Sequence, residues 1–320
     1  MKQFITTAMG LMLLGVWACT GNKGVAADAT GENGGDSAAT EVVAVESDTL
    51  VFEVVELRDS SEYKVKIVDY SSDEDPAPYD IATVMDAYEA STLKAVAGKP
   101  KVVEFINHWL TLDAAGRYVE APVTAEKVAK EYASLKAQGV PDVRAALKLS
   151  AAEHLGSSYS ADDEEEMMEM PFESANEYSS SISMVWQTPS LLTLWDSGYD
   201  YSAGAAHGMP WGVGRTFDLK NLRILTFDDI ITKAGHEAVL KMIIETLKDD
   251  YADGWEMFNS EETIDFPESD PSLVEKGVAF DYGAYEIGAY ALGMPQAILP
   301  YEKVKPYLTA EVKELLNLKE

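Results

Sequence analysis

The residues with the clearest potential for chemistry lie in a glycine-rich segment around His207. The segment reads Tyr199-Asp-Tyr-Ser-Ala-Gly-Ala-Ala-His207-Gly, and Trp211 follows it closely. Glycines at positions 204, 208 and 212 let the backbone turn tightly and approach a ligand. An imidazole flanked by Tyr199, Tyr201 and Trp211 is suited to binding a glycan or a peptide, because the rings can stack on a sugar. The alternative interpretation is a structural turn in which His207 bonds to a backbone carbonyl.

Sequence motifs for metal or nucleophilic catalysis are absent. The other histidines, His108, His154 and His236, are isolated, so no His-x-x-x-His or His-x-His spacing predicts a zinc site. The chain has no Gly-x-Ser-x-Gly elbow, phosphate-binding loop or dinucleotide fingerprint. We therefore expect no catalytic residue, no metal and no cofactor.

Acidic residues are abundant, and their abundance limits what they can indicate. The chain has 55 acidic and 25 basic residues and a formal net charge of −30. We expect no nucleic-acid partner, because an anionic surface repels phosphate and so disfavours sequence-independent binding. So many carboxylates form accidental pairs that no glycosidase dyad can be identified from them. A hydrolase using His207 with Asp200 or Asp218 stays open as an alternative.

The N-terminus resembles a lipoprotein signal. Lys2 is the only charged residue among the first 18, and an apolar run from residue 8 to 17 precedes Ala18 and Cys19. The run is shorter than the ~20 residues that span a bilayer, and its pattern is typical of a secretory signal. Val16-Trp-Ala-Cys19 resembles the bacterial lipobox, whose cysteine receives a diglyceride and a fatty acid such as palmitate. We predict that residues 1–18 are removed and that Cys19 is lipidated, although an ordinary signal with an incidental cysteine is the alternative.

Residues 19–47 predict a flexible acidic tether that leaves the membrane. They are rich in Gly, Ala, Thr, Ser, Asp and Glu and show no periodicity. Such a chain has a root-mean-square reach of about 30 Å. Thr20 follows the cysteine in place of the aspartate that retains some lipoproteins at the inner membrane. We therefore expect a lipid-anchored envelope protein at the outer membrane of a Gram-negative bacterium.

The remaining sequence predicts an α+β fold, with a mostly antiparallel sheet and flanking helices in two α/β subdomains. Residues 49–57 and 63–70 predict a hairpin that turns at residues 58–61. Residues 80–97 have a helical composition, and a polar stretch with the solvated acidic run 162–166 follows Pro141. The other predicted helices are 102–112, 124–138, 227–232, 237–250, 302–308 and 310–318. The other predicted strands are 181–188, 191–201, 214–219, 278–281 and 297–299.

Two apolar groups within acidic loops are candidates for gripping a partner. They are Met167-Met168-Glu-Met170 and Trp255-Glu-Met257-Phe258. Flexible methionines are common at binding surfaces, but such residues more often fold a loop onto the core.

Three segments of the C-terminal half resemble a known bacterial envelope family. They are the segment around His207, Thr216-Phe-Asp-Leu-Lys-Asn221, and the closing stretch from Tyr285-Glu-Ile-Gly-Ala-Tyr290 through Leu299-Pro-Tyr301 to Lys305-Pro-Tyr-Leu308. The family is the domain of unknown function in the extracellular part of the anti-sigma factor RsiV, which also accompanies PdaC-type peptidoglycan deacetylases. Upstream, Ile106-Asn107-His-Trp109 resembles a helix of the partner domain that usually precedes it.

The resemblance implies a partner domain at 48–205 and an RsiV-like domain at 206–320. It also implies an envelope setting, and the RsiV domain binds lysozyme. Sigma-factor control and deacetylation are not implied, because the sequence shows no sigma-binding segment and no deacetylase domain. We predict a non-enzymatic lipoprotein that binds lysozyme or peptidoglycan. A cell-wall hydrolase and a structural envelope-assembly protein are the alternatives.

Overall fold

A computed structural model of the 320-residue chain describes residues 49–155 and 167–318. The predicted signal peptide, Cys19 and the tether therefore lie outside the described residues. The acidic run at residues 162–166 lies outside them as well.

Two β-sheets form the framework. The larger has seven strands in the order β3-β1-β2-β4-β5-β6-β7, and the smaller has three in the order β10-β9-β8. Every pairing is antiparallel except β1 with β3 and β2 with β4. The strands are β1 Val51–Val68, β2 Tyr79–Ala97, β3 Met168–Met170, β4 Glu177–Gln187, β5 Leu191–Tyr201, β6 Met209–Asp218, β7 Arg223–Ile224, β8 Ser272–Val274, β9 Gly277–Asp281 and β10 Gln296–Pro300.

Helices pack against both sheets. The helices are α1 Pro100–Ala114, α2 Ala125–Ala137, α3 Val143–Leu155, α4 Phe227–Ile230, α5 His236–Asp250, α6 Tyr301–Val304 and α7 Ala310–Leu315. Short 3-10 turns at 233–235, 252–257, 261–263, 290–292 and 305–307 complete the C-terminal half. This architecture confirms the predicted α+β class with a mostly antiparallel sheet.

Strand β5 separates two hydrophobic cores because successive side chains point to opposite faces of a sheet. Leu192 joins the core on the side of α1 and α2, where Phe105 and Phe217 are buried. Leu191 joins the core on the side of α5 and the smaller sheet. Both leucines are fully buried, which explains why β5 begins with apolar residues on both faces.

The predicted hairpin at residues 49–70 is wrong, because β1 is one unbroken strand. Each residue of the expected turn pairs with β2, from Arg58 opposite Glu89 to Ser61 opposite Asp86. The segment contains neither glycine nor proline, which a tight hairpin turn favours. Its polar side chains lie on an exposed part of the strand, where Arg58 and Glu89 form an ion pair of 2.7 Å.

The helix predicted at residues 80–97 is also wrong, because this segment is strand β2. Its burial alternates, with Val84, Asp86, Tyr88 and Ala90 inside and the residues between them exposed. One polar and one small residue on the inner face hide this two-residue period in the sequence. Pairing with β1 along its full length then overrides the helical composition.

Most of the other predicted elements are confirmed, and one helix was missed. Helix α2 begins after Thr124, whose side chain accepts a hydrogen bond from the Lys127 amide, as an N-cap residue does. The missed helix is α3, which lies in the stretch predicted to be polar. Asp142 caps it by accepting from the Ala145 amide at 2.9 Å, and its buried residues include Val143 and Leu147.

Strands β5 and β6 lie on either side of the predicted boundary between residues 205 and 206. They are neighbours in one sheet and pair from Leu191 with Asp218 to Asp200 with Met209. Within the described ranges, no helix is both long and apolar enough to cross a membrane.

Candidate functional site: a ring cluster around His207

The loop between β5 and β6 carries His207. Side-chain hydrogen bonds hold this loop in place. The Tyr201 hydroxyl donates to the Ala205 carbonyl at 3.2 Å and lies 3.1 Å from the Ser174 hydroxyl. The Asn176 side chain accepts from the Ala203 amide at 2.8 Å. Tyr201 is therefore a positioning residue that fixes the loop beside the β3–β4 connection.

His207 is exposed and its ring is fixed by two tyrosines, which with it form the ring cluster: His207, Tyr285 and Tyr290. The imidazole stacks on Tyr290 with centroids 4.0 Å apart and planes inclined by 25°. Its Nε2 lies 2.9 Å from the Tyr285 hydroxyl, and its Nδ1 lies 3.1 Å from the Gly208 carbonyl oxygen. The neutral tautomer that satisfies both contacts donates from Nδ1 and accepts at Nε2.

Two further contacts hold the base of the ring cluster. The Tyr290 hydroxyl donates to the Gly208 carbonyl at 2.7 Å. Tyr199 packs directly on Gly208, where a Cβ atom would lie only 2.2 Å from the tyrosine Cζ. The position therefore requires glycine, because any side chain would displace Tyr199.

Tyr285 gives the ring cluster an exposed aromatic ring. Its side chain is 48% exposed, and its backbone has a φ of 70°. A bulky residue in the left-handed region is strained, and such residues concentrate at functional sites. Tyr285 and Tyr290 carry part of the family resemblance, but neither was predicted to belong to the site. They meet His207 only through long-range packing, which no local pattern reveals.

Trp211 lies on the other face of the sheet from Tyr199. It is opposite Gly198 in the β5–β6 pairing, and a Cβ atom on Gly198 would lie 2.6 Å from its ring. Tyr199 is the next residue along β5 and so points to the opposite side. Trp211 instead lines a cavity beneath α1 and α3. The structure thus brings Tyr199 and Tyr201 to the His207 loop and directs Trp211 elsewhere.

Asp218 and Asp200, the two carboxylates considered as catalytic partners of His207, lie in other environments: a turn and a separate cavity. Asp218 is fully buried and accepts from the amides of Lys220 and Asn221 at 2.9 and 3.1 Å, which closes the turn after β6. Asp200 is exposed on β5 and lines a cavity with His154 and Tyr178. No cluster of three or more metal-ligating side chains occurs within residues 49–155 and 167–318.

The two apolar groups noted in the sequence mainly pack against the core. Met167 and Met170 are buried, and Met168 is partly exposed. Trp255 stacks on the buried Phe258 with ring centroids 4.6 Å apart.

Comparison with known structures places the chain beside proteins of the DUF3298 family, named for a domain of unknown function. A family member from Bacteroides fragilis NCTC 9343 superposes with a TM-score of 0.53 at 20% identity, covering 84% of this chain and 97% of that one. A family protein from Pseudomonas aeruginosa PAO1 gives a TM-score of 0.46 at 16% identity, covering 81% and 96%. No protein-family model matches the sequence, and no curated protein matches it. The first likeness shows the fold of this chain.

Proposed function

We propose that this chain is a lipid-anchored cell-envelope protein that binds an envelope ligand through the ring cluster, without catalysis. The observation that carries the proposal is an exposed imidazole held between two tyrosines whose positions are fixed by hydrogen bonds. Rigid aromatic side chains lose little conformational entropy on binding and dominate interface energetics.

Peptidoglycan glycan is the ligand that the ring cluster suits best. The apolar face of a sugar can pack on an aromatic ring, while its hydroxyls bond to polar ring atoms. Tyr285 offers a half-exposed ring for this packing, and its hydroxyl and that of Tyr290 lie beside the His207 imidazole.

Lysozyme is the second candidate ligand, favoured by the charge of the chain. A net charge of −30 attracts a cationic protein and speeds its encounter. The resemblance to the RsiV-type domain supports the same candidate, since that domain binds lysozyme. The lipobox at Val16–Cys19 supports the membrane anchor that would hold either ligand at the envelope.

We favour binding over hydrolysis because the two carboxylates near His207 in sequence interact with other parts of the chain or line another cavity. Asp218 is committed to its turn by three hydrogen bonds from Lys220 and Asn221. Asp200 lines a cavity with residues of α3 and β4.

The test is a titration of the full chain with soluble peptidoglycan fragments and, separately, with lysozyme. His207→Ala and Tyr290→Ala should each weaken binding at least about tenfold, as removal of an aromatic anchor does. Tyr118→Ala is the matched control because Tyr118 is 82% exposed and belongs to another surface. Wild-type affinity in both ring variants would refute the ring cluster as the site. Release of fragments from intact peptidoglycan would favour the hydrolase instead.

A further inference from the structure

A second candidate site lies on the other face of the sheet, in a cavity beneath α1 and α3. Its volume is about 230 Å³, and Trp211 and Asp196 of the sheet and Asp113 of α1 line it. These residues have no part in the ring cluster. The cavity is therefore separate from the ring cluster.

Carboxyl groups outnumber basic side chains at the cavity. Asp196 is 5% exposed and pairs with Arg215, whose guanidinium Nη2 lies 3.6 Å from its Oδ2. Asp113 lines this cavity with Asp196 and a neighbouring cavity with Arg215, so two carboxyl groups lie in the field of one guanidinium. Burial and the nearby Asp196 raise the pKa of Asp113 well above the usual carboxyl range. Burial also raises the pKa of Asp196, against the opposing effect of Arg215.

The remaining titratable groups along the cavity leave this excess of carboxyl groups in place. Glu153 of α3 lines it and pairs with Arg117 at 3.3 Å. His154 lines it as well, and its Nδ1 lies 2.8 Å from the Ser150 carbonyl oxygen. The hydroxyls of Tyr88 and Tyr178 have pKa values raised by burial and so stay neutral.

Thr92 supplies an independent sign of a missing ligand. It is 2% exposed and lines the cavity from β2. Its Oγ1 atom has no hydrogen-bond partner among the residues that the structure describes. A buried hydroxyl without a partner destabilises the fold relative to a bonded one, so a ligand group that bonds to it would recover this loss.

Aromatic rings form the rest of the wall. Tyr88 and Tyr178 stack with centroids 5.2 Å apart and planes inclined by 11°. Trp211 contributes a third ring from β6. The faces of such rings attract cations, as the carboxyl groups do.

We propose that this cavity binds a small organic ammonium ion that also carries a hydroxyl group. The ammonium lies between Asp113 and Asp196, and the hydroxyl bonds to Thr92. An engineered cavity of ~150 Å³ holds benzene, so one of this size admits roughly nine non-hydrogen atoms. When the cation binds, Asp113 gives up a proton to solvent, because the positive charge stabilises its ionised form.

The test is calorimetric titration of the full chain with three matched compounds: 4-aminobutanol, the neutral 1,4-butanediol and the anionic 4-hydroxybutyrate. The amine should bind at least about tenfold more tightly than the other two. Heats in buffers of different ionisation enthalpy should show proton release with the amine near neutral pH. Equal binding of the amine and the diol, or no saturable binding of the amine up to about 10 mM, would overturn the proposal.

Variants locate the binding. Asp196→Asn and Asp113→Asn should each weaken amine binding at least about tenfold. Asp281→Asn is the matched control, a buried aspartate that lines a different cavity. Thr92→Val should leave butylamine binding unchanged and remove the preference for 4-aminobutanol. If an aspartate variant fails to fold, the Thr92 comparison decides, and an unchanged preference in Thr92→Val contradicts the proposed hydroxyl contact.

Discussion

Asp113 shows how burial at a single residue connects to the pH dependence of the whole chain. Its pKa is raised first by burial and then by Asp196, whereas Arg215 lowers it. An unfolded chain has an ordinary aspartate pKa near ~3.9. Between that pKa and the raised one, the folded chain holds a proton that the unfolded chain has lost. Asp113 therefore stabilises the fold fully below about pH 4, and this contribution is lost as the pH rises through its raised pKa.

We predict that Asp113→Asn reduces the loss of stability on raising the pH from 5 to 8. An asparagine resembles the neutral carboxyl and cannot ionise. As the pH rises, the free energy of unfolding of the variant should therefore increase relative to that of the wild type by up to about 1.4 kcal/mol per pH unit. The measurement is urea unfolding at several pH values. Asp80→Asn, at an exposed position of β2, is the control and should follow the wild type. Parallel curves for wild type and Asp113→Asn would contradict the raised pKa.

At the scale of elements, one side chain joins helix α1 to strand β2. Asn107 accepts from the Ala95 amide at 2.8 Å and donates to the Ala95 carbonyl at 2.9 Å. The side-chain amide of Asn107 thereby makes the two hydrogen bonds with Ala95 that a residue of a neighbouring strand would make. The contact fixes how α1 lies against the sheet, and α1 in turn carries Asp113 over the cavity.

We predict that Asn107→Ala destabilises the fold by about 2–3 kcal/mol, because it removes two hydrogen bonds and leaves two backbone groups without partners. Asn107→Asp should be destabilising too, since a carboxylate accepts from the amide but cannot donate to the carbonyl. Thermal and urea unfolding measure both changes. The exposed Lys101→Ala on the same helix should stay within about 0.5 kcal/mol of the wild type. A cost as small as that for Asn107→Ala would show that apolar packing alone docks the helix.

The elements also show what the sequence could reveal and what it could not. Helices α1, α2 and α5 carry strong local signals, and β5 was predicted with its observed ends. Strand β2 was missed because its inner face includes Asp86, whose carboxylate accepts from the Asn176 amide and side chain. That partner is 90 residues away in the sequence, so no local pattern predicts the contact.

The candidate sites follow the same rule. The loop around His207 was predicted from local composition, and the structure places Tyr199 and Tyr201 with it. Tyr285 and Tyr290 join it from 78 and 83 residues further along the chain. Trp211 is close to His207 in sequence, yet strand alternation turns it into the cavity on the other face.

At the scale of the whole molecule, the proposed anchor predicts where the protein is found. Two or more acyl chains give stable membrane attachment, whereas one gives only reversible binding. Cys19→Ser should therefore move the protein from the membrane fraction to the soluble fraction and abolish labelling by a fatty-acid analogue. Membrane fractionation and metabolic labelling measure these changes, with wild type as reference. A variant that stays in the membrane fraction would contradict the lipid anchor.

The net charge of the chain makes a separate prediction about its encounter with lysozyme. With 55 acidic and 25 basic residues, the surface should accelerate the association of a cationic partner. Because the Debye length falls from about 10 Å at 0.1 M salt to about 3 Å at 1 M, the association rate should fall steeply with salt. A dissociation rate set by the ring cluster should change much less, since contacts of a buried anchor act mainly on dissociation.

Stopped-flow or surface plasmon resonance kinetics over this salt range separate the contribution of charge from that of the ring cluster. An unrelated acidic protein of similar charge serves as the control, because it shares the steering but lacks the ring cluster. The full chain should dissociate more slowly than this control at high salt, and His207→Ala should bring its dissociation close to that of the control. If the control matches the full chain at every salt concentration, charge alone explains the binding, and peptidoglycan becomes the ligand to pursue.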